Sequence, residues 1–217
     1  MVIFTKDQAR VEYHEREFKN PKVKYEVVGS FEIRGWDRVF QWLKFTLLDT
    51  ESTRLRRRML YELDKNFMRY YGGLLLSWLL ARKIFIKIAR QLDWFLVRNT
   101  VYDKYFKKYK PGLVFLANIF YEPEIHFLRS ARKYGAKTVG FINSWDKVTA
   151  RCILRLLPDK FIVFNELVRN ELLKYNQVGL REIFVGGVPQ YDDYFSGKRK
   201  SREEFFREIG VNPAKKL

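Results

Sequence analysis

The chain has 217 residues, 47% hydrophobic and 17% aromatic; this is enough apolar material for one sizeable core and excludes a disordered chain, because disordered chains are poor in aromatic residues. Lys and Arg outnumber Asp and Glu by 42 to 25, and the net charge of +17 favours a polyanionic partner: nucleic acid, anionic lipid or a phosphorylated substrate. The single cysteine, Cys152, excludes an intrachain disulfide. The residues after Met1 do not form the apolar segment of a signal peptide, so the sequence does not predict secretion.

The first 30 residues predict a strand, a helix and a second strand. "MVIFT" is short and apolar, and "KDQARVEYHEREFKN" is polar and compatible with a helix. "VKYEVVG" is rich in β-branched residues and ends at Gly29. A zone of different composition begins near residue 34.

Residues 34–110 form a basic zone with helical periodicity. Leu55, Met59, Leu63 and Phe67 recur every four residues, as on one face of a helix. The zone holds 18 Lys and Arg against 7 Asp and Glu, a net charge of +11. Its longest uncharged stretch has 12 residues, too short to cross a bilayer. We therefore expect a cytoplasmic protein that is peripheral on the inner face of the plasma membrane.

Two basic clusters of this zone are candidates for contact with a membrane: Arg56, Arg57 and Arg58, and Lys83, Lys87 and Arg90. They adjoin apolar stretches that contain tryptophans, and this combination is typical of an interfacial helix on anionic lipid. A solvated basic face is the plain alternative. RNA binding also uses basic and aromatic residues, but the chain has no recognisable RNA-binding motif.

From residue 111 onward, apolar strands alternate with helices. The predicted strands are 112–118, 137–143, 159–165 and 181–187, and the predicted helices cover 122–135, a segment from about 147, and 166–176. Alternation of this kind, with strands that are apolar almost throughout, is typical of a parallel sheet covered on both sides. The sequence therefore predicts an α/β fold: a Rossmann-like parallel sheet with helices on both faces, plus the basic helical insertion.

Polar residues or glycines stand at or just beyond the end of each predicted strand of this sheet. They are Asn118 at the end of the first strand, Ser144, Trp145 and Asp146 after the second, Asn165 and Glu166 at the end of the third, and Gly186 and Gly187 at the end of the fourth. Ligands of open parallel sheets bind beyond the carboxyl ends of the strands, so these residues predict a crevice at one edge.

A purely structural role is the alternative for each of these residues. Asp146 and Asn165 both stand where a helix begins, and their side chains could simply cap it. Trp145 either plugs the crevice or stacks on a ring or sugar. His126 is more typical of packing than of catalysis at its position. No cluster with metal-ligand spacing, P-loop or dinucleotide fingerprint is present, so the sequence predicts neither a metal nor a cofactor.

Four segments, "INSWDKVT", "PDKFIVFNE", "IFVGGVPQYDDYF" and "SREEFFREIGVNPAKKL", occur in this order. As a series they resemble the N-terminal half of GT-B-type transferases of envelope polysaccharide synthesis, the relatives of CDP-glycerol glycerophosphotransferases and of UDP-N-acetylglucosamine 2-epimerase-like proteins. The resemblance covers roughly residues 110–217. Lys147 stands where these families usually have Asn after Ser-Trp-Asp.

The resemblance implies an N-terminal GT-B domain over residues 1–200, with 34–110 inserted, and a linker helix over 201–217 toward a missing C-terminal domain. That domain, on this chain or on a separate one, would bind a nucleotide-activated donor. This chain would bind a lipid-linked or polysaccharide acceptor, with Asp146 as base or orienting group and Trp145 stacked on the acceptor. The remaining acceptor contacts implied are Asn118, Ser144, Asn165, Glu166, Gly187 and Pro189. DNA is not an expected partner.

The alternative function is that of a non-catalytic peripheral membrane-binding module, followed by RNA binding. Liposome binding that does not depend on Trp145 would favour the first of these, and steeply salt-dependent binding to oligonucleotides the second.

Overall fold

A computed structural model describes residues 1–29, 32–195 and 200–212, without the side chain of Asp193. The strands are β1 (Val2–Thr5), β2 (Lys24–Val27), β3 (Leu113–Leu116), β4 (Lys137–Phe141), β5 (Lys160–Val163) and β6 (Ile183–Val185). The helices are α1 (Gln8–Glu17), α2 (Trp36–Thr46), α3 (Glu51–Asp64), α4 (Phe67–Leu80), α5 (Lys83–Leu96), α6 (Asp103–Tyr109), α7 (Glu122–Lys133), α8 (Lys147–Ala150), α9 (Glu166–Glu171), α10 (Asp192–Phe195) and α11 (Arg202–Glu208).

The main sheet has four parallel strands in the order β3-β4-β5-β6. Leu116 pairs with Gly140, Phe141 with Ile162, and Val163 with Val185. Because the neighbouring strands are parallel, each pair is joined by a crossover connection, and the three connections contain α7, α8 and α9 in turn. The α/β, Rossmann-like fold class is confirmed.

β1 and β2 form a separate parallel pair that packs against the same core. The ring of Phe4 lies 5.1 Å from that of Tyr105 and 4.8 Å from that of Phe127. Phe127 in turn stacks on Tyr102 of the loop before α6, at 4.1 Å. These aromatic contacts join the N-terminal unit to α6 and α7 without a strand-to-strand hydrogen bond among the described residues.

The two faces of the main sheet differ in burial. On one face Leu116, Phe161 and Val163 are fully buried in the core. On the other, Leu113 and Phe115 of β3 and Phe184 of β6 are exposed. Residues that alternate along a strand point to opposite faces, so helices cover the first face more completely than the second.

Helices α2–α5 form a layer beside the sheet, as the basic insertion predicts. α3 begins with a capping box at Thr50, whose hydroxyl also donates to the carbonyl of Thr149 at 2.6 Å. Lys65, in the left-handed conformation with φ of 51°, ends α3, and Asn66 caps α4, so the two helices form a hairpin. A smaller apolar cluster of α2, α5 and Ile153 supports this layer.

Some predicted elements differ from the observed ones. The helix predicted over 166–176 is α-helical only to Glu171 and continues as a π-helix over Leu172–Asn176. The segment 181–187 begins in a 3₁₀ turn, and only Ile183–Val185 is strand. The predicted linker helix is α11, while residues 196–199 and 213–217 lie outside the described part of the chain.

Candidate functional site

Parallel pairing places the ends of β3, β4, β5 and β6 at one edge of the main sheet. Asn118 comes two residues after β3, Ser144 three after β4, Asn165 two after β5 and Gly187 two after β6. All of these predicted residues therefore lie at the same edge. We call this the carboxyl edge.

The loop after β4 contributes an accessible carboxylate and an exposed indole. Trp145 is 70% exposed, so its ring neither plugs a crevice nor packs in the core. Asp146 precedes α8, but its side chain makes no capping hydrogen bond; it accepts one from the Ser144 hydroxyl instead. The capping alternative is thus wrong for the side chain of Asp146, which is half-buried and positioned by Ser144.

A lysine lies at the centre of the edge between β3 and β4. The Lys147 ammonium donates to the side-chain carbonyl of Asn118 at 3.1 Å and to that of Asn143. Burial lowers the pKa of Lys147, an effect that Arg151 reinforces and Asp146 and Glu124 oppose. Lys147 therefore links the loop after β3 to the loop after β4.

Glu124 is a residue that the sequence analysis missed. Its carboxylate accepts a hydrogen bond from the backbone N–H of Asn118 at 2.7 Å. Burial raises the pKa of Glu124, although that bond and the charge of Lys147 lower it in part. In the sequence, an acidic residue in the first turn of α7 is explained by the helix dipole alone, so only the fold shows its place beside Lys147.

The residues after β5 and β6 have simpler structural roles. Asn165 caps α9, accepting from the N–H of Val168 at 3.0 Å, which is the capping alternative. Glu166 is exposed and pairs with Arg169 one turn along the helix. Gly187 has φ of 80°, a left-handed conformation that favours glycine, and Pro189 is exposed in the following 3₁₀ turn.

The basic residues predicted to face a membrane divide into two groups. Arg56, Arg58, Lys83 and Lys87 are exposed. The prediction for Arg90 is wrong: its guanidinium donates to the carbonyls of Leu154 at 2.8 Å and Asn176 at 2.9 Å. Burial lowers the pKa of Arg90 to about 10. Its charge therefore joins α5 to the loop 151–159 and the π-helix.

Arg57 is also drawn into the helical layer. Its guanidinium donates to the Ser77 hydroxyl at 2.5 Å and to the Phe45 carbonyl at 3.3 Å. The Ser77 hydroxyl in turn donates to the Thr46 carbonyl at 2.8 Å, so Arg57 links α3, α4 and the end of α2. Burial lowers the pKa of Arg57.

Helices α3, α4 and α5 expose many large apolar side chains. They are Leu55, Met59, Leu60 and Leu63 of α3, Phe67, Met68, Tyr71, Leu75, Leu76, Trp78 and Leu79 of α4, and Ile84, Phe85, Ile88, Leu92, Phe95 and Leu96 of α5. Large contiguous apolar surface is uncommon on monomeric proteins that have no binding partner. Within the described residues, none of the helices combines the length and apolarity needed to traverse a bilayer.

A buried ionic cluster holds this helical layer to the sheet. Arg155 pairs with Asp37 of α2 at 2.7 Å, Asp93 of α5 at 2.6 Å and Glu122 of α7 at 2.6 Å. Lys44 pairs with Glu122, and Arg129 with Asp93. The three carboxylates are thus matched by three cations, as burial of charge requires.

Three side chains at this cluster are close enough together to hold a metal ion, but the surrounding positive charges disfavour one. One ligand atom from each of Asp37, Glu122 and His126 lies within 4.8 Å of the others. Asp37 is already bonded to His126 at 3.1 Å, and Arg155 and Lys44 occupy the carboxylate oxygens. An added divalent cation would be repelled by both of these charges. The cluster is therefore interpreted as structural.

No family model matches the chain, and no curated protein or solved structure is significantly similar to it.

Proposed function

We propose that the protein is the acceptor-binding half of a transferase that acts at a membrane surface. One observation carries the proposal: the carboxyl edge brings Glu124, Asp146 and Lys147 together from α7 and the loop after β4. Burial raises the pKa of Glu124 and lowers that of Lys147. Titratable groups of both signs at the mouth of a parallel sheet are what proton transfer and anion binding need. The order of motifs in residues 110–217 supports the transferase class.

In this reaction an acceptor hydroxyl attacks the carbon or phosphorus of an activated donor, and a base removes the hydroxyl proton. Asp146 suits the role of base or orienting group, because its carboxylate is accessible and held by Ser144. The exposed indole of Trp145 is available to stack on a sugar or other ring of the acceptor. Lys147 and Asn118 would bind the phosphate or hydroxyl groups of the acceptor. A second domain would bind the nucleotide-activated donor.

The test begins with acceptor binding. Glycerol phosphate or a phosphosugar is titrated while tryptophan fluorescence is recorded, and the response should disappear in Trp145→Phe. Affinity should fall at least tenfold in Lys147→Gln, while Lys137→Gln, which changes an exposed lysine at the opposite end of β4, should leave it unchanged. An unaltered affinity in Lys147→Gln would remove the carboxyl edge as the acceptor site.

Transfer is then measured with CDP-glycerol or a nucleotide-sugar and a separately expressed donor-binding domain. We expect product above the level given by that domain alone, and at least 100-fold less with Asp146→Asn, in the range typical of a lost general base. Product that does not depend on this chain would contradict the transferase proposal.

A second candidate is a non-catalytic membrane-surface module. The exposed apolar side chains of α3–α5, interspersed with Arg56, Lys83 and Lys87, favour it. Co-sedimentation with anionic liposomes separates the two candidates: binding unchanged by Trp145→Ala, together with no ligand at the carboxyl edge, would favour the module.

A further inference from the structure

A groove of about 350 Å³ lies between α2, α3 and α4, away from the carboxyl edge. Its lining includes the aromatic side chains of Trp42, Phe45 and Tyr61, two arginines, Arg57 and Arg69, and Gly72 of α4. Its volume is within the range of small-molecule sites, roughly 300–1,000 Å³. Most of the lining side chains are aromatic or aliphatic, and the rest of the lining is one threonine, two glycines and the two arginines.

Arg57 lacks a counter-ion in the described part of the chain. Its Nη1 is buried and has no hydrogen-bond partner there, although Ser77 and Phe45 accept from Nη2. The neighbouring Asp49 is already bonded by Arg54 through two hydrogen bonds of 2.9 and 2.8 Å. A partly buried guanidinium without a carboxylate is costly, and an anionic ligand would offset that cost.

The groove therefore combines an apolar lining with excess positive charge. Arg69 pairs with Asp64 at 2.5 Å, but Arg56, which lies over the ring of Phe45 at 5.7 Å, forms no ion pair among the described residues. This arrangement matches an amphiphile with an acyl chain and an anionic head.

We propose that this groove binds one acyl chain of an anionic phospholipid, with the lipid phosphate at Arg57 and Arg69. The inference rests on the membrane location in the proposed function and adds a single-lipid site to it. Each methylene buried in the groove contributes to affinity, while the arginines select for negative charge. The exposed side chains of α3 and α4 around the groove would lie in the bilayer surface and allow a chain to enter from it.

Charge argues against a second copy of the chain as the occupant. The helical zone over residues 34–110 carries a net charge of +11, so two such zones facing one another would repel. An anionic bilayer, in contrast, is attracted to this zone.

Gly72 offers a substitution that fills the groove without disturbing the core. It lines the groove, lies in α4, and a Cβ added there would meet nothing within 4 Å. Gly72→Phe should therefore occupy the space of the acyl chain. Gly72→Ala is the matched control, since it makes the same backbone change with only one added carbon. Both variants should melt at or above the temperature of the original protein, because glycine is a poor helix former.

The probe is dihexanoyl phosphatidylglycerol below its micellar concentration, measured by native mass spectrometry and calorimetry. The original protein and Gly72→Ala should bind one lipid per chain with affinities within twofold of each other, and Gly72→Phe should bind at least tenfold more weakly. Arg57→Met should lose the preference for this lipid over dihexanoyl phosphatidylcholine. Equal affinity in Gly72→Phe and Gly72→Ala would overturn the proposal.

Vesicle binding distinguishes failure of this site from failure of the membrane location. Vesicles with and without phosphatidylglycerol should retain Gly72→Phe about as well as the original protein, because the apolar surface of α5 is unchanged. No vesicle binding by the original protein would contradict the membrane location itself. A dimer that Gly72→Phe abolishes in light scattering would identify a second copy as occupant and overturn the lipid site.

Discussion

At the scale of single residues, Arg155 forms ion pairs with three different helices. Its guanidinium contacts carboxylates from α2, α5 and α7, and its side chain is 1% exposed. Other polar contacts among these helices are the hydrogen bond between Asp37 and His126 and the neighbouring Lys44 and Arg129 pairs. One residue of an irregular loop therefore fixes the helical layer against the sheet.

Replacing Arg155 by Met should lower the free energy of unfolding by about 3–5 kcal/mol, the usual cost of leaving buried charges without their partner. Urea unfolding followed by circular dichroism measures this change. Arg98→Ala is the control, because Arg98 is exposed and should change stability by less than about 0.5 kcal/mol. A loss below about 1 kcal/mol for Arg155→Met would show that the cluster relaxes or admits water.

Asp37 gives the cluster a pH dependence. Desolvation raises its pKa, but the hydrogen bond and charge of His126 and the charge of Arg155 outweigh this effect, so the pKa is lowered from 3.8. A lowered folded-state pKa contributes stability that is fully present above the unfolded value and is lost as the pH falls through the folded value.

Stability should therefore decline below about pH 4, where the unfolded carboxyl begins to bind protons that the folded one still excludes. Asp37→Asn should be less stable at neutral pH and show a flatter decline on acidification, measured by urea unfolding from pH 7 to 3. If the free energy of unfolding fell equally with pH in both proteins, Asp37 would not contribute to the loss of stability in acid.

At the scale of elements, Lys87 and Arg90 of α5 lie one turn apart but differ in their exposure to solvent. Lys87 is exposed, whereas Arg90 bonds to Leu154 and Asn176 inside the protein. The buried face of α5 is defined by Ile86, Ala89 and Asp93. Arg90 comes three residues after Lys87 and lies near the boundary between this face and the exposed one.

Arg90→Met should cost about 2–3 kcal/mol of stability, because three hydrogen bonds from a buried cation are lost. Its affinity for anionic vesicles should stay unchanged. Lys87→Met should do the opposite: vesicle affinity falls about fivefold, in line with about 1 kcal/mol for each basic residue near an anionic surface, and stability is unchanged. Vesicle binding that falls more in Arg90→Met than in Lys87→Met would contradict this assignment.

At the scale of the whole molecule, charge and apolar surface are concentrated in one layer. The helices of residues 34–110 carry +11 of the net +17 and also expose the large side chains of α3–α5. Salt screens the attraction of this layer to an anionic surface but does not weaken the burial of its apolar side chains. Vesicle binding should therefore have a salt-sensitive and a salt-resistant contribution.

Partition onto vesicles containing phosphatidylglycerol should fall at least tenfold between 0.1 and 1 M NaCl, as the screening length drops from about 10 Å to about 3 Å. A salt-resistant remainder should persist and should decrease in the double variant Leu63→Ser, Phe95→Ser, whose side chains are 83% and 68% exposed. Complete loss of binding at 1 M NaCl would exclude insertion of apolar side chains. Tight binding to oligonucleotides with no lipid preference would favour the RNA alternative.

Much of the carboxyl edge could be predicted because parallel strands deliver successive chain segments to one side. Asn118, Ser144 and Asp146 were located this way. Glu124 was missed because its partner, the backbone of Asn118, is set by the tight turn after β3. Arg57 and Arg90 were predicted to lie at the surface because neighbouring residues in a helix do not indicate whether a basic side chain will meet a carbonyl from a distant part of the sequence.

By itself the sequence determined the alternation of strands and helices, the basic apolar insertion and the edge at which polar residues collect. These follow from local periodicity and from the order of elements, which neighbouring residues encode. Only the tertiary structure decided which charges are internal: the Arg155 cluster joins residues up to 118 positions apart, from Asp37 to Arg155. It also decided that α2, α3 and α4 enclose a groove, because a groove is the space left between helices whose packing angles no single segment specifies.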